Sequence, residues 1–469
     1  MGTIAMTSSE TVPLPPSSVF DSFATSAGGW LFDAVCDQLA VGAHLSLRVP
    51  YGAGLPFTIY GRIIALKQDC QIVIEHAQPW HGRIRIRLSP LERDSTRVTL
   101  VSEIDEMGID WLVRRGGLPV PFENSSSAQR VGLLTCKTGP GAVFALATEN
   151  AASLAIEDAD TEPGRAWELV VGDDGTDPVL AGVEAERLIR SGCRAIVASV
   201  TSQSFAQVQR VAERYGVLAV HAVLNEGGPR SPSAIRLGER PAQQIAAAVG
   251  PVMREAASSS WFVVGHTYSW SRAASRVAHA AIPAAGGRIV GEARVKLGST
   301  DYRPVVEQIV RSGAGVVLTS LVGADEVRFE KTSYDLGLRD RAVTLSLVLE
   351  ESTRELIGPD ASLGIWVAMG YFESLPGTTN AEFTTRYRDR FGPWAPPLST
   401  MSEAVYAATR LVCRALVDEP DGSARTLLQR VRSSRLNAPR GLLTFGDEET
   451  YNQRITLATA GTQGFALRG

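Results

Sequence analysis

Cysteine is scarce and dispersed in this 469-residue sequence. The five thiols, Cys36, Cys70, Cys136, Cys193 and Cys413, are odd in number and none forms a C-x-x-C pair. That pattern excludes a disulfide framework and a thiolate metal site, and it fits free or buried thiols in a reducing compartment. Of the six histidines only His76 and His81 lie close together, with no third ligand beside them, so no metal is expected. No run approaches the ~18 apolar residues of a membrane span, so no membrane insertion is expected. Residues 1–10 carry neither the basic residue nor the apolar core of a secretory signal, and Met6 breaks the myristoylation pattern that begins at Gly2; the expected location is the cytoplasm. An excess of positive charge is missing too. With a net charge of -4 and a pI near 6.0, the chain offers no basic face for direct nucleic-acid binding and no attraction to anionic membranes. Neither a nucleophile–base pair nor a pair of carboxylates stands out, and Gly139-Pro140-Gly141 is too short for a phosphate loop. The expectation is a protein without enzymatic activity and without a cofactor.

What is present is an ordinary globular composition, 44% hydrophobic and 20% charged, in a chain long enough for about two to four domains. A Pro-, Gly- and Ser-rich stretch at 116–130 reads as a linker between two segments of different texture. In the first, 45–49, 72–75, 84–88 and 98–101 alternate apolar and polar residues, the period of half-buried strands separated by turns. Residues 16–23 read as a helix start, with a serine cap ahead of the i, i+4 pair Val19 and Phe23. An antiparallel α+β meander is expected there. In the second segment, continuous apolar strands at 131–134, 168–171, 195–198, 261–264 and 316–318 alternate with helical patterns. Asp177 is placed to cap the helix at 178–191, and Gly192 to follow it. Continuous strands alternating with helices mean parallel sheets covered on both faces. Roughly 340 residues exceed one core, so two sheets are expected.

The second segment resembles the type I periplasmic binding proteins of the branched-chain amino acid, amide and urea branch. The residues that carry the resemblance are spread in family order: Gly132-Leu133-Leu134 with Thr138-Gly139-Pro140, Ala151 to Ala159, the turn from Asp173 to Pro178, Thr201-Ser202, Gly286 to Glu292, Leu297 to Tyr302, Glu403 to Tyr406, and Pro439-Arg440-Gly441. Glu292 and Tyr371-Phe372 lean toward the amide- and urea-binding members. The first segment is similar to the START-type helix-grip superfamily through Val19-Phe20 with Trp30-Leu31, Val41-Gly42-Ala43, Gly61-Arg62-Ile63 and Thr96 to Leu100. It departs where that superfamily has a long closing helix, since only 108–115 is available. The implied organisation is a START-like α+β domain at 10–117, a linker at 118–128, and a two-lobed domain at 129–469. Its lobes would be 129–248 with 376–440, and 249–375 with 441–469.

Ligands of open α/β sheets sit beyond the carboxyl ends of the strands, where helix amides suit an oxygen of the ligand. That rule and the resemblance nominate Val200, Thr201 and Ser202 after one strand, with Ser202 as either a contact or a helix cap. They also nominate His221 and Val223, the first read as a satisfied core histidine ahead of a contact and the second as an apolar wall. Tyr268 and Trp270 are the aromatic pair expected to sandwich a flat group. Leu321, Gly323 and Asp325 follow the next strand, and Tyr371 is expected to roof the site or line the hinge. For Asp325 two roles stand open, a counter-ion to a ligand ammonium or a carboxylate at a helix start. The resemblance implies a cytoplasmic sensor of a short amide or urea that governs a regulator protein such as a transcription antiterminator, and it allows a homodimer. The alternative is the substrate-binding component of an ABC-type uptake system for an amino acid, amide or urea.

Overall fold

The structure is a computed structural model that describes residues 4–23, 34–36, 38–49, 57–78, 80–91, 94–104, 129–159, 166–445, 452 and 454–468. The linker expected at 118–128, the segment 108–115 and the Trp30-Leu31 pair lie outside these residues. Two compact units make up the chain, Met1–Ser125 with Phe391–Ala395, and Ser126–Arg390 with Pro396–Gly469.

The first unit is a seven-stranded sheet: β1 (Ile4–Val12), β2 (Val35–Cys36), β3 (His44–Val49), β4 (Phe57–Lys67), β5 (Gln71–Gln78), β6 (Gly82–Leu91) and β7 (Ser95–Ile104). From β2 to β7 each strand pairs antiparallel with the next, and β1 closes against β7. The alternation read in the sequence is the alternation of faces. Ile84, Ile86 and Leu88 are buried on β6 while Arg83, Arg85 and Arg87 point away. The short helix Pro16–Asp21 adds Val19 and Phe20 to the same core. Its cap differs from the expectation. Pro15 holds the cap position without a side-chain bond and Pro16 opens the helix, so Ser17 and Ser18 already lie inside the first turn. β1 is an addition to the sequence reading, whose small Ser and Thr residues blur the apolar period.

The second unit has two lobes, each with its own sheet. The first sheet holds β8 (Gln129–Thr135), β9 (Trp167–Asp173), β10 (Ala195–Ser199), β11 (Leu218–His221) and β12 (Ala234–Arg236), all parallel, in the order β12-β11-β10-β8-β9. The second is built from β13 (Ser260–His266), β14 (Arg288–Val295), β15 (Val316–Ser320), β16 (Val343–Ser346) and β17 (Trp366–Met369). After a hairpin of β18 (Leu436–Ala438) and β19 (Gly441–Leu443), the antiparallel pair β20 (Thr456–Gly461) and β21 (Gly464–Arg468) completes its edge, giving β14-β13-β15-β16-β17-β20-β21. Every residue of β10 and β15 is buried, as a sheet with helices on both faces requires. Asp177 caps the helix Pro178–Arg190, its Oδ1 accepting from the amides of Val179 at 2.7 Å and Leu180 at 3.0 Å. The chain passes between the lobes after β12, after β17 and around the β18–β19 hairpin. These crossings form the hinge.

Candidate functional site

Between the lobes, beyond the carboxyl ends of the strands, lies a cavity of about 50 Å³. The first lobe contributes Cys136, Gly141 and Phe144 after β8, Ser199, Val200, Thr201 and Ser202 after β10, and Val223 and Leu224 after β11. Tyr268 and Trp270 after β13, Val322 after β15 and Val348 after β16 come from the second lobe, and Met401 from the start of the helix Thr400–Asp418. Among the described residues of the lining there is no Asp, Glu, Lys, Arg or His. The site is apolar and aromatic, with its polarity supplied by neutral groups.

Those neutral groups come from helix starts. Thr201 caps the helix Ser202–Tyr215, its Oγ1 accepting from the Ser204 amide at 3.1 Å. Ser202 is therefore the first helical residue and not the cap. Its hydroxyl is buried at the cavity with no hydrogen-bond partner among the described residues. Tyr268 occupies the cap position of the helix Ser269–Ala284 without a side-chain bond. Trp270 follows in the first turn, 2% exposed, and its Nε1 has no partner among the described residues. The Tyr268 and Trp270 rings stack with centroids 6.4 Å apart and an interplanar angle of 22°. Phe144 ends the 3-10 turn Ala142–Phe144 that runs into the helix Ala145–Ala159, and Met401 lies in the first turn of its helix with its amide bonded to Ser399 Oγ at 3.3 Å. The first-turn amides of such helices have no intrahelical acceptor, and the aligned peptide dipoles make each start partly positive. The starts of the Ser202 and Ser269 helices both reach this apolar cavity, where they favour an oxygen-rich, negatively charged group.

The structure brings together six of the residues nominated from the sequence: Val200, Thr201, Ser202, Val223, Tyr268 and Trp270. The other five lie elsewhere. His221 is fully buried, bonds through Nε2 to the Val200 carbonyl at 2.9 Å and stacks on Phe205 at 4.5 Å. Burial pulls its pKa down to about 3, so it is a neutral core histidine that fixes the backbone of a lining residue. Leu321 packs in the outer core of the second lobe with Phe262 and Phe329. Gly323 precedes the helix Ala324–Asp335 and faces Pro140 of the other lobe. Tyr371 is buried in the hinge, donating to Asn380 Oδ1 at 2.7 Å. Asp325 is buried and occupied. Its Oδ2 accepts from the Gly298 amide at 2.6 Å and its Oδ1 from Arg328 Nη1 at 3.1 Å. Burial raises its pKa, which those partners oppose.

Cys136, Gly141, Phe144, Ser199, Leu224, Val322, Val348 and Met401 were not nominated. For Phe144 the glycine turn just upstream was a usable signal. Met401 and Val348 come from segments that reach the cavity only through the hinge topology.

The residues 128–464 match the model of the periplasmic binding protein family. The chain belongs to that family, and the domain is a binding protein rather than an enzyme. Among curated proteins it is similar to the Leu/Ile/Val-binding protein homolog 6 of Brucella melitensis, 26% identical over 178 residues, which are 37% of this chain and 45% of that protein. The chain thus spans less than half the length of the curated relatives it matches. Two solved structures share the fold. One is an ABC-transporter solute-binding protein of R. palustris in complex with 4-hydroxybenzoate, at 20% identity and a TM-score of 0.66, covering 73% of this chain and 95% of that one. The other is a leucine-binding protein of Thermotoga maritima, at 16% identity and a TM-score of 0.65, covering 73% and 98%.

Proposed function

We propose that the clamp captures a small monocarboxylate with an apolar or aromatic body and no ammonium group, as the solute-binding component of an uptake system does. The observation that carries this is the lining itself: two helix starts and the donors Ser202 Oγ and Trp270 Nε1, which have no partner among the described residues, around an apolar wall with no carboxylate among those residues. The carboxylate would face the starts of the Ser202 and Ser269 helices. The body would lie against Phe144, Tyr268 and Trp270. The solute-binding proteins of aromatic acids among its structural relatives support the same chemistry. An amino acid fits less well, because the acidic residue expected to hold its ammonium, Asp325, is committed to Gly298 and Arg328.

The amide sensor is the second reading. Neutral donors at the cavity suit a carbonyl oxygen as well, and a regulator partner, a homodimer and a cytoplasmic location belong to that reading. The helix-grip assignment of the first domain is likewise a proposal, supported by its antiparallel sheet with one helix in the core. Titrating 4-hydroxybenzoate against Ser202→Ala and Trp270→Phe tests the site. Each loss of a donor to a charged oxygen should weaken binding by about 1.5–3 kcal/mol, roughly ten- to a hundredfold. Wild-type affinity in both variants would move the ligand elsewhere.

A further inference from the structure

The cavity is far smaller than the ~300–1,000 Å³ of ordinary ligand pockets, so a ligand enters only when the lobes part. One bond between the lobes lies beside the cavity and involves no residue of its lining. The Ala324 amide donates across the lobes to the Pro140 carbonyl at 3.0 Å. Ala324 is the first residue of its helix, where an amide has no intrahelical acceptor. The bond is possible because the preceding residue is Gly323. A Cβ there would stand 2.2 Å from the Pro140 oxygen, and its φ of +59° is one that residues with a Cβ rarely adopt. Gly298, from the adjoining turn, meets the ring of the same proline, with Pro140 Cγ 3.6 Å from where its Cβ would be.

Each half is braced within its own lobe. In the first, Gly139 packs on the Gly175 carbonyl and the Gly141 amide donates to Thr176 Oγ1 at 3.2 Å. In the second, Asp325 binds the Gly298 amide at 2.6 Å, and His266 Nε2 accepts from the Val322 amide at 3.2 Å. We infer that Pro140 and the Gly323–Ala324 turn form a latch that holds the clamp closed, with Asp325 as its positioning residue. The carboxylate sets the two turns that receive Pro140. It acts on ligand capture only through them.

The test uses the full-length chain with no added ligand, so it stands or falls apart from the choice of ligand above. Proline is tolerated at the first helical position, so Ala324→Pro deletes the latch donor and leaves the helix able to form. Cys136, 6% exposed, lines the cavity and reports its opening. Alkylation at Cys136, read by peptide mass spectrometry, should be about fivefold faster in Ala324→Pro, the equivalent of one net hydrogen bond. A rate equal to wild type overturns the latch. Cys193 and Cys413, buried in the lobe cores, report unfolding. If they too become reactive, hydrogen exchange of the wild-type protein decides. The latch requires slow exchange at the Ala324 amide, and exchange as fast as that of the exposed first-turn residue Arg425 overturns it.

Discussion

Arg440 Nη1 donates to Glu239 Oε1 at 3.0 Å, with both side chains almost fully buried, 2% and 1% exposed. The same oxygen accepts from the Gly370 amide at 2.9 Å and from Thr400 Oγ1 at 2.7 Å. Glu239 follows β12, Gly370 follows β17 and Arg440 lies in the β18–β19 turn. One carboxylate oxygen therefore ties the three crossings of the hinge. The guanidinium also pairs with Glu403, so two buried carboxylates share one cation.

Arg440→Met should leave both acids buried without a counter-charge. Removing one partner of a buried ion pair costs roughly 3–5 kcal/mol, so urea unfolding should show a loss of that size. Adding Glu239→Gln and Glu403→Gln to Arg440→Met should recover part of it. A loss under about 1 kcal/mol in the single variant contradicts the account of the hinge.

His221 makes a pH prediction. Its folded pKa is depressed by burial to about 3 against 6.5 unfolded. Between those values the unfolded chain binds a proton that the folded chain does not, so the group lowers stability as pH falls. The slope is about 1.4 kcal/mol per pH unit for one proton. His221→Gln keeps a donor for the Val200 carbonyl and cannot titrate. Urea midpoints of wild type and variant from pH 7 to 4 should diverge, wild type falling faster on acidification. Parallel curves count against a neutral buried His221.

Asp325 separates two roles by ligand selectivity. As the brace of the Gly298 turn, Asp325→Asn should weaken every ligand by a similar factor and cost about 1–3 kcal/mol of stability, the range for disturbing a buried hydrogen-bonded group. As a counter-ion it would weaken amino acids alone. Calorimetric titration of 4-hydroxybenzoate and L-leucine into both proteins distinguishes the two.

Much of this architecture was legible in the sequence because burial leaves a period. The all-buried strands β10 and β15 read as continuous apolar runs, and β6 reads as alternation. The cap at Asp177 was visible because Pro follows it directly. The first helix was misread at its cap, since two prolines there do without a side-chain bond. At the site, proximity to a strand end pointed to Ser202, Tyr268 and Trp270, which line the cavity, but could not say which way each residue turns. Val322 faces the cavity while its neighbour Leu321 faces the outer core, and Asp325, one helical turn on, faces Gly298. Direction of that kind is set by where the following helix begins, and the Gly323 conformation that fixes it carries no hydrophobic period.

Calorimetric titration of the whole chain separates the ligand classes. Benzoate, 4-hydroxybenzoate, L-leucine, acetamide and urea would be compared at one pH and ionic strength. A monocarboxylate should bind saturably and one-to-one, with L-leucine, acetamide and urea at least tenfold weaker, a difference of about 1.4 kcal/mol. Tight binding of acetamide or urea with no response to either carboxylate would contradict the monocarboxylate reading and establish the amide reading in its place.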